Sequence, residues 1–179
     1  KVGEYGTLEE FSTKRIEQAQ WVHWEDRVEL ILSGDYYAVK PLHVELSPTY
    51  ICNFACPWCS CKLARQDWLG EGMDVFNHPL ANEKTIMCRE KLFHIISELS
   101  HSKTGIQWVG GEPTLNPFTF DGIKFANELG LTQCLFTNGS IMPPDRIEEM
   151  LKSNLAFIRI SLDCIDQSTH TAFHGINPK

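Results

Sequence analysis

The chain of 179 residues has no long hydrophobic run: no uninterrupted apolar stretch reaches the roughly 18 residues that a membrane span needs. It has no surplus of positive charge either. Sixteen Lys and Arg against 23 Asp and Glu leave a formal charge of −7. A sequence-independent grip on nucleic acid needs a basic surface, so that function loses its support, while a nucleotide-sized substrate does not. There is no internal repeat and no low-complexity tract. The opening Lys1-Val2-Gly3-Glu4 lacks the character of a signal peptide. A disulfide framework of the secreted kind is missing too: the seven cysteines are an odd number, and four of them crowd between positions 52 and 61. From these absences a cytoplasmic protein, with no membrane partner, is expected.

What is present is enough for one folded domain. Forty-two per cent of the residues are apolar and 22% are charged, so there is a core to bury. Residues 7–19 open on the capping-box pattern Thr7-x-x-Glu10, and a second helical stretch over 24–33 stops at Gly34. Residues 1–40 therefore read as an N-terminal helical extension. Its Trp21, Trp24, Tyr36 and Tyr37 read as packing residues. Residues 41–47 alternate polar and apolar and read as a strand. Residues 62–83 read as an irregular loop and 84–100 as a helix. Then come a strand over 106–109, a helix over 118–129, a strand over 131–136, a helix over 144–153, a strand over 155–162 and a last helix from near Asp166. Strand and helix alternate four times after residue 41. Such alternation predicts an α/β fold of βα units with parallel strands and outer helices. In such sheets the loops after the strand C-terminal ends collect the active site.

The sharpest chemical signal stands at the first of these ends. Cys52-x-x-x-Cys56-x-x-Cys59 places three thiols on one short loop. Three thiolates can bind three corners of a cubane iron–sulfur cluster and leave the fourth iron without a protein ligand. Electron-transfer clusters fill all four positions with cysteine. Two other readings stay open at this point. One is a structural zinc site with Cys61 as fourth ligand, in a non-catalytic zinc-binding or adaptor protein. Against it, zinc sites usually pair two well-separated knuckles. The other is a thioredoxin-type redox motif at Cys56-Pro57-Trp58-Cys59, which leaves Cys52 unexplained. Cys88, Cys134 and Cys164, scattered in apolar stretches, read as buried small hydrophobes.

The stretch from Ser47 to Cys59, with an aromatic residue just before the third cysteine, resembles the signature of the radical S-adenosylmethionine (radical SAM) superfamily. Gly110-Gly111-Glu112-Pro113 resembles that family's GGEP motif. Ser161-Leu162-Asp163 resembles its fourth-strand pattern, and Thr137-Asn138-Gly139 is similar to a segment that lines the SAM site in many members. The resemblance covers about residues 41–176 and is closest to the branch that modifies peptides and small metabolites. It implies a partial (β/α) barrel. It further implies a [4Fe–4S] cluster on Cys52, Cys56 and Cys59 that reductively cleaves S-adenosylmethionine. The resulting 5′-deoxyadenosyl radical abstracts hydrogen from a peptide or small biosynthetic substrate, with a donor such as flavodoxin or ferredoxin supplying the electron. It implies contacts to SAM from Trp58, Gly110, Gly111, Glu112, Pro113, Asn138, Ser161 and Asp163. Cys61 is taken as a neighbour of the cluster. His170 and His174, one helical turn apart with no third ligand in view, are taken as surface or packing residues. An RNA-modifying relative is a further alternative, mildly disfavoured by the charge.

The family's usual core has six strands, and only four are legible here. A half-barrel exposes a sheet edge and an apolar face. Residues 41–179 are therefore expected to be an incomplete radical SAM core.

Overall fold

The computed structural model describes residues 24–59, 86–153 and 155–174. Helix α1 runs over Trp24–Leu32, strand β1 over His43–Leu46, and helix α2 over Arg89–His101. Strand β2 (Gly105–Trp108) leads through a short 3-10 turn at Pro113–Leu115 into helix α3 (Thr119–Glu128). Strand β3 (Gln133–Thr137), helix α4 (Pro144–Lys152), strand β4 (Leu155–Ile160) and helix α5 (Gln167–His174) complete the order. The four strands form one sheet in the order β1-β2-β3-β4, every pairing parallel. This is the α/β architecture of successive βα units that the alternation predicted. Among the described residues no helix is long and apolar enough to cross a membrane.

The core lies between β1–β3 and helices α2 to α4. Ile106 and Trp108, two residues apart, point to the same face, as strand geometry requires. They meet Leu92 and Ile96 of α2, Ile123 and Ala126 of α3, Leu135 of β3 and Met150 of α4. Burying each of the larger aliphatic side chains is worth about 1.5–3 kcal/mol. Phe93 and Phe125 stack between α2 and α3 at 4.8 Å. The polar atoms of this layer are satisfied. The buried Trp108 indole donates to Gln133 Oε1 at 2.9 Å, and Gln133 Nε2 donates to the Ile123 carbonyl at 3.0 Å.

Several expectations shift. The helix expected over 84–100 begins at Arg89. Ile86 instead bridges Thr49 in an antiparallel pair, and Met87 N–H donates to the Pro48 carbonyl at 2.8 Å. The Asn116 side chain then ties the Pro48 and Met87 carbonyls together, donating to each at 2.9 Å. Tertiary hydrogen bonds thus hold this segment extended. Strand β4 stops at Ile160, two residues early. Tyr36 and Tyr37 are exposed and do not pack. Of the scattered cysteines, Cys134 is buried and Cys164 partly so, but Cys88 is exposed, just before α2. Burial pushes the Cys134 thiol up to about 11, as befits an inert core residue. The helix expected over 7–19, the loop over 62–83, Trp21 and Cys61 lie outside the described residues.

Candidate active site

The chemistry-bearing segments follow the C-terminal ends of the four strands, and the parallel sheet brings those ends to one edge. The loop after β1 carries Cys52, Cys56 and Cys59, all partly buried. The Gly110–Glu112 turn after β2 is joined to the start of that loop by main-chain bonds. Gly111 N–H donates to the Thr49 carbonyl at 2.9 Å and Glu112 N–H to the Ile51 carbonyl at 2.7 Å. This close approach is what the two glycines permit. Gly110 has φ +115°, and a Cβ there would meet the Thr49 carbonyl oxygen at 2.5 Å. A Cβ on Gly111 would overlap the Ile51 carbonyl group outright. Side chains have no room where the two loops zip together.

Glu112 is 1% exposed and is the hub of the site. Its Oε1 accepts from Thr114 N–H (3.2 Å), Thr114 Oγ1 (2.6 Å) and Thr137 Oγ1 (2.7 Å). Its Oε2 accepts from Asn138 N–H at 2.7 Å. One carboxylate thus fastens the turn after β2 to the end of β3. A carboxylate has about four acceptor positions; three donors crowd Oε1, and Oε2 keeps one lone pair in reserve. No ion pair involves Glu112 among the described residues. Pro113 follows it, buried, at the start of the 3-10 turn.

Asn138 reaches back to the cysteine loop. Its Nδ2 donates to Asn53 Oδ1 at 2.9 Å and lies 3.8 Å from Cys52 Sγ, while its Oδ1 accepts from the Ser140 backbone N–H at 2.9 Å and from Ser140 Oγ at 2.6 Å. Cys52 Sγ also receives Phe54 N–H at 3.4 Å. The third motif, after β4, is arranged differently. Ser161 N–H donates to the Thr137 carbonyl at 2.9 Å, but both Ser161 and Asp163 lie beyond the strand, so strand alternation does not set their directions. Asp163 is 44% exposed, and its Oδ2 lies 3.5 Å from Nε2 of His174.

From sequence alone His174 reads as a surface or packing residue; it does pack, and it also touches the cysteine loop. It sits at the C-terminus of α5, 2% exposed, with Nδ1 2.9 Å from Cys56 Sγ. Its carbonyl accepts from Ala55 N–H at 2.8 Å, so the last residue of α5 grips the cysteine loop through main chain and side chain together. Phe54 (4.8 Å), His170 (4.4 Å) and Trp58 (6.3 Å) surround its ring. Burial and the neighbouring His170 push its pKa down, partly opposed by Asp163. The available signal was its place eleven residues after Asp163, at the end of a short helix that must return over the site. Trp58 itself is 52% exposed and meets Phe173 edge-on at 5.2 Å. Among the described residues no three His, Cys, Asp or Glu side chains converge as ligands of a single ion.

Known proteins agree with this arrangement. The structure is similar to that of SuiB of Streptococcus suis bound to its precursor peptide SuiA, with a TM-score of 0.58 at 17% identity, over 87% of this chain and 32% of that one. SuiB bound to S-adenosylmethionine aligns with a TM-score of 0.55 at 17% identity, over 77% of this chain and 27% of that one. These likenesses show a shared fold, the partial barrel. In sequence, an S-adenosylmethionine-dependent nucleotide dehydratase of Flammeovirga pacifica is 34% identical over 120 residues, 66% of this chain and 37% of the relative. An AdoMet-dependent heme synthase of Methanosarcina barkeri is 30% identical over 84 residues, 46% of this chain and 24% of the relative. The chain spans only 24–37% of the length of these two relatives. A family model describing the Radical SAM superfamily matches residues 46–179. The chain belongs to the Radical SAM superfamily.

Proposed function

We propose that this chain forms the SAM-cleaving part of a radical SAM enzyme acting on a peptide or small biosynthetic molecule. One observation carries the reading. Three ordered motifs, far apart in sequence, are hydrogen-bonded into one cluster of loops around Cys52, Cys56 and Cys59. The donor set suits a [4Fe–4S] cluster with one open iron. Cys52 and Cys56 already face N–H groups or a ring nitrogen, which favours thiolate ligands. A structural zinc site usually pairs two well-separated knuckles, whereas these cysteines crowd on one loop. Held by Cys52, Cys56 and Cys59, such a cluster would supply the electron for reductive cleavage of SAM, the chemistry that leads to hydrogen abstraction from the substrate.

The residues of this chain bind and orient. The spare lone pair of Glu112 Oε2 and the close backbone of Gly110, Gly111 and Pro113 receive the methionine ammonium. Asn138 fixes the Cys52 side of the site. Ser161 and Asp163 are exposed at the end of β4; Ser161 offers a hydroxyl to the ribose or to the carboxylate end of SAM, and Asp163 offers a carboxylate to the ribose hydroxyls. Trp58 lies against the adenine. The relative named as a nucleotide dehydratase acts, by its name, on a nucleotide, and SuiB is bound to a precursor peptide; both fall within the proposed substrate class.

The test is direct. Protein reconstituted anaerobically with iron and sulfide should be brown and should form 5′-deoxyadenosine from SAM under a strong reductant. Alanine at Cys52, Cys56 or Cys59 should abolish the cluster, whereas Cys61→Ala should keep it. A colourless protein holding one tight zinc would overturn the proposal.

A further inference from the structure

We infer that His174 is a positioning residue for the iron–sulfur cluster: its Nδ1–H donates a hydrogen bond to the Cys56 thiolate and thereby raises the cluster's reduction potential. The inference rests on the cysteine-loop reading above and goes beyond it. Two observations and one chemical argument carry it. Nδ1 lies 2.9 Å from Cys56 Sγ. A cluster-bound thiolate has no hydrogen of its own, so the hydrogen between the two atoms belongs to the ring. At the other nitrogen, Asp163 Oδ2 is 3.5 Å from Nε2, close enough for electrostatic attraction but outside hydrogen-bond geometry, and among the described residues Nε2 has no hydrogen-bond partner. No bond at Nε2 therefore competes to fix the ring hydrogen there.

The surroundings strengthen the contact. Phe54, His170 and Trp58 enclose the ring, and His174 is 2% exposed. A hydrogen bond in such a low-dielectric setting is stronger than one in water. The orientation is over-determined, because the Ala55 N–H bond to the His174 carbonyl holds the backbone of the same residue against the same loop. Hydrogen bonds to the sulfurs of an iron–sulfur cluster are among the determinants of its potential. Reduction adds negative charge to the sulfurs, so a donor stabilises the reduced state more than the oxidised one. Losing the donor must lower the potential and make the electron harder to supply.

The test compares the reconstituted chain with His174→Leu, His174→Asn and His170→Leu, each checked for iron and sulfide content and titrated under redox control by electron paramagnetic resonance without SAM. His174→Leu should hold the cluster at a more negative midpoint. His174→Asn, whose amide N–H reaches about where Nδ1 stands, should restore most of the difference. His170→Leu removes a ring that touches His174, and it should leave the midpoint near that of the unaltered chain. A His174→Leu cluster with unchanged midpoint overturns the inference, as does an equal shift in His170→Leu, which would mark a packing effect. Should the Leu variant fail to fold, the unaltered protein labelled with ¹⁵N-histidine decides. Electron–nuclear double resonance of the reduced cluster should then show weak coupling to one hydrogen-bonded ring nitrogen. No coupling, or one as large as direct iron ligation gives, overturns the proposal. A chain that takes up no cluster sinks the functional reading as well; a normal cluster with an unmoved potential sinks only this one.

Discussion

The turn after β2 and the segment after β4 belong to the same candidate site but are built in opposite ways. Around Glu112 the turn is closed: each carboxylate oxygen is hydrogen-bonded and the backbone is zipped to the cysteine loop. Around Asp163 the chain is open. Ser161 and Asp163 are exposed, and so are the apolar side chains of Ile160, Leu162 and Ile165 beside them. The sheet itself shows the same gradient, since β2 and β3 have a strand on each side while β1 and β4 are its edges. The contrast separates two tasks. One part is a frame whose donors are satisfied within the chain, with a single Glu112 lone pair left over. The other keeps polar groups available at a flank where the described sheet has no covering layer.

The largest expected effect lies in the closed part. Glu112→Ala strands donors from Thr114, Thr137 and Asn138, each worth about 1–3 kcal/mol when left unsatisfied in the interior, so a loss of about 4 kcal/mol is expected in chemical denaturation. A loss below about 1 kcal/mol would mean that the frame does not depend on its hub. Gly111→Ala comes next. Its Cβ must displace the Ile51 carbonyl, at a cost of about 2–3 kcal/mol, and cluster incorporation should drop with it because the displaced segment leads into Cys52. Iron content measured beside stability separates the two effects.

Asp163→Asn should behave in the reverse sense. Its stability should stay within about 0.5 kcal/mol of the unaltered chain, as for most exposed positions. SAM binding to the reconstituted protein should nevertheless weaken about tenfold, the worth of one hydrogen bond to a charged group. Equal losses of stability at Asp163 and Glu112 would erase the distinction between frame and open flank. The smallest effect concerns pH. Asp166 accepts from Ser168 Oγ at 2.6 Å and from Thr169 N–H at 2.8 Å at the start of α5. These bonds hold its carboxyl well below the ordinary aspartate value of 3.8. A carboxyl whose folded value is depressed contributes stability that is complete above the ordinary value and is lost as the pH falls below it. Hydrogen-exchange protection at the start of α5 should therefore weaken below about pH 4. Asp166→Asn, which caps without titrating, should remove that pH dependence.

Much of this molecule was legible in one dimension. Strands β1 to β4 and the helices between them declare themselves through local periodicity and through turn residues such as Gly130 and the Pro143-Pro144 pair. The cysteine spacing and Gly110–Pro113 stand out because few other uses explain those residue types in that order. The misreadings share a cause. The start of α2 was placed too early because Asn116, about thirty residues on, holds Met87 extended. Strand β4 was drawn through Leu162 because its apolar pattern continues after its hydrogen-bond partner, β3, has ended at Thr137. The contact of His174 with the cysteine loop went unread because it depends on a cysteine 118 positions away.

The sequence by itself determined the thiol spacing and the βα order, since residue spacing on a loop and periodicity along a strand are local properties of a chain. Only the tertiary structure decided which groups are already spent and which stay available. That Glu112 braces β3, that Asp163 stands half open and that His174 reaches Cys56 all follow from parallel pairing, which gathers distant strand ends at one edge. No local pattern encodes a hydrogen bond between residues that meet only after the sheet has formed.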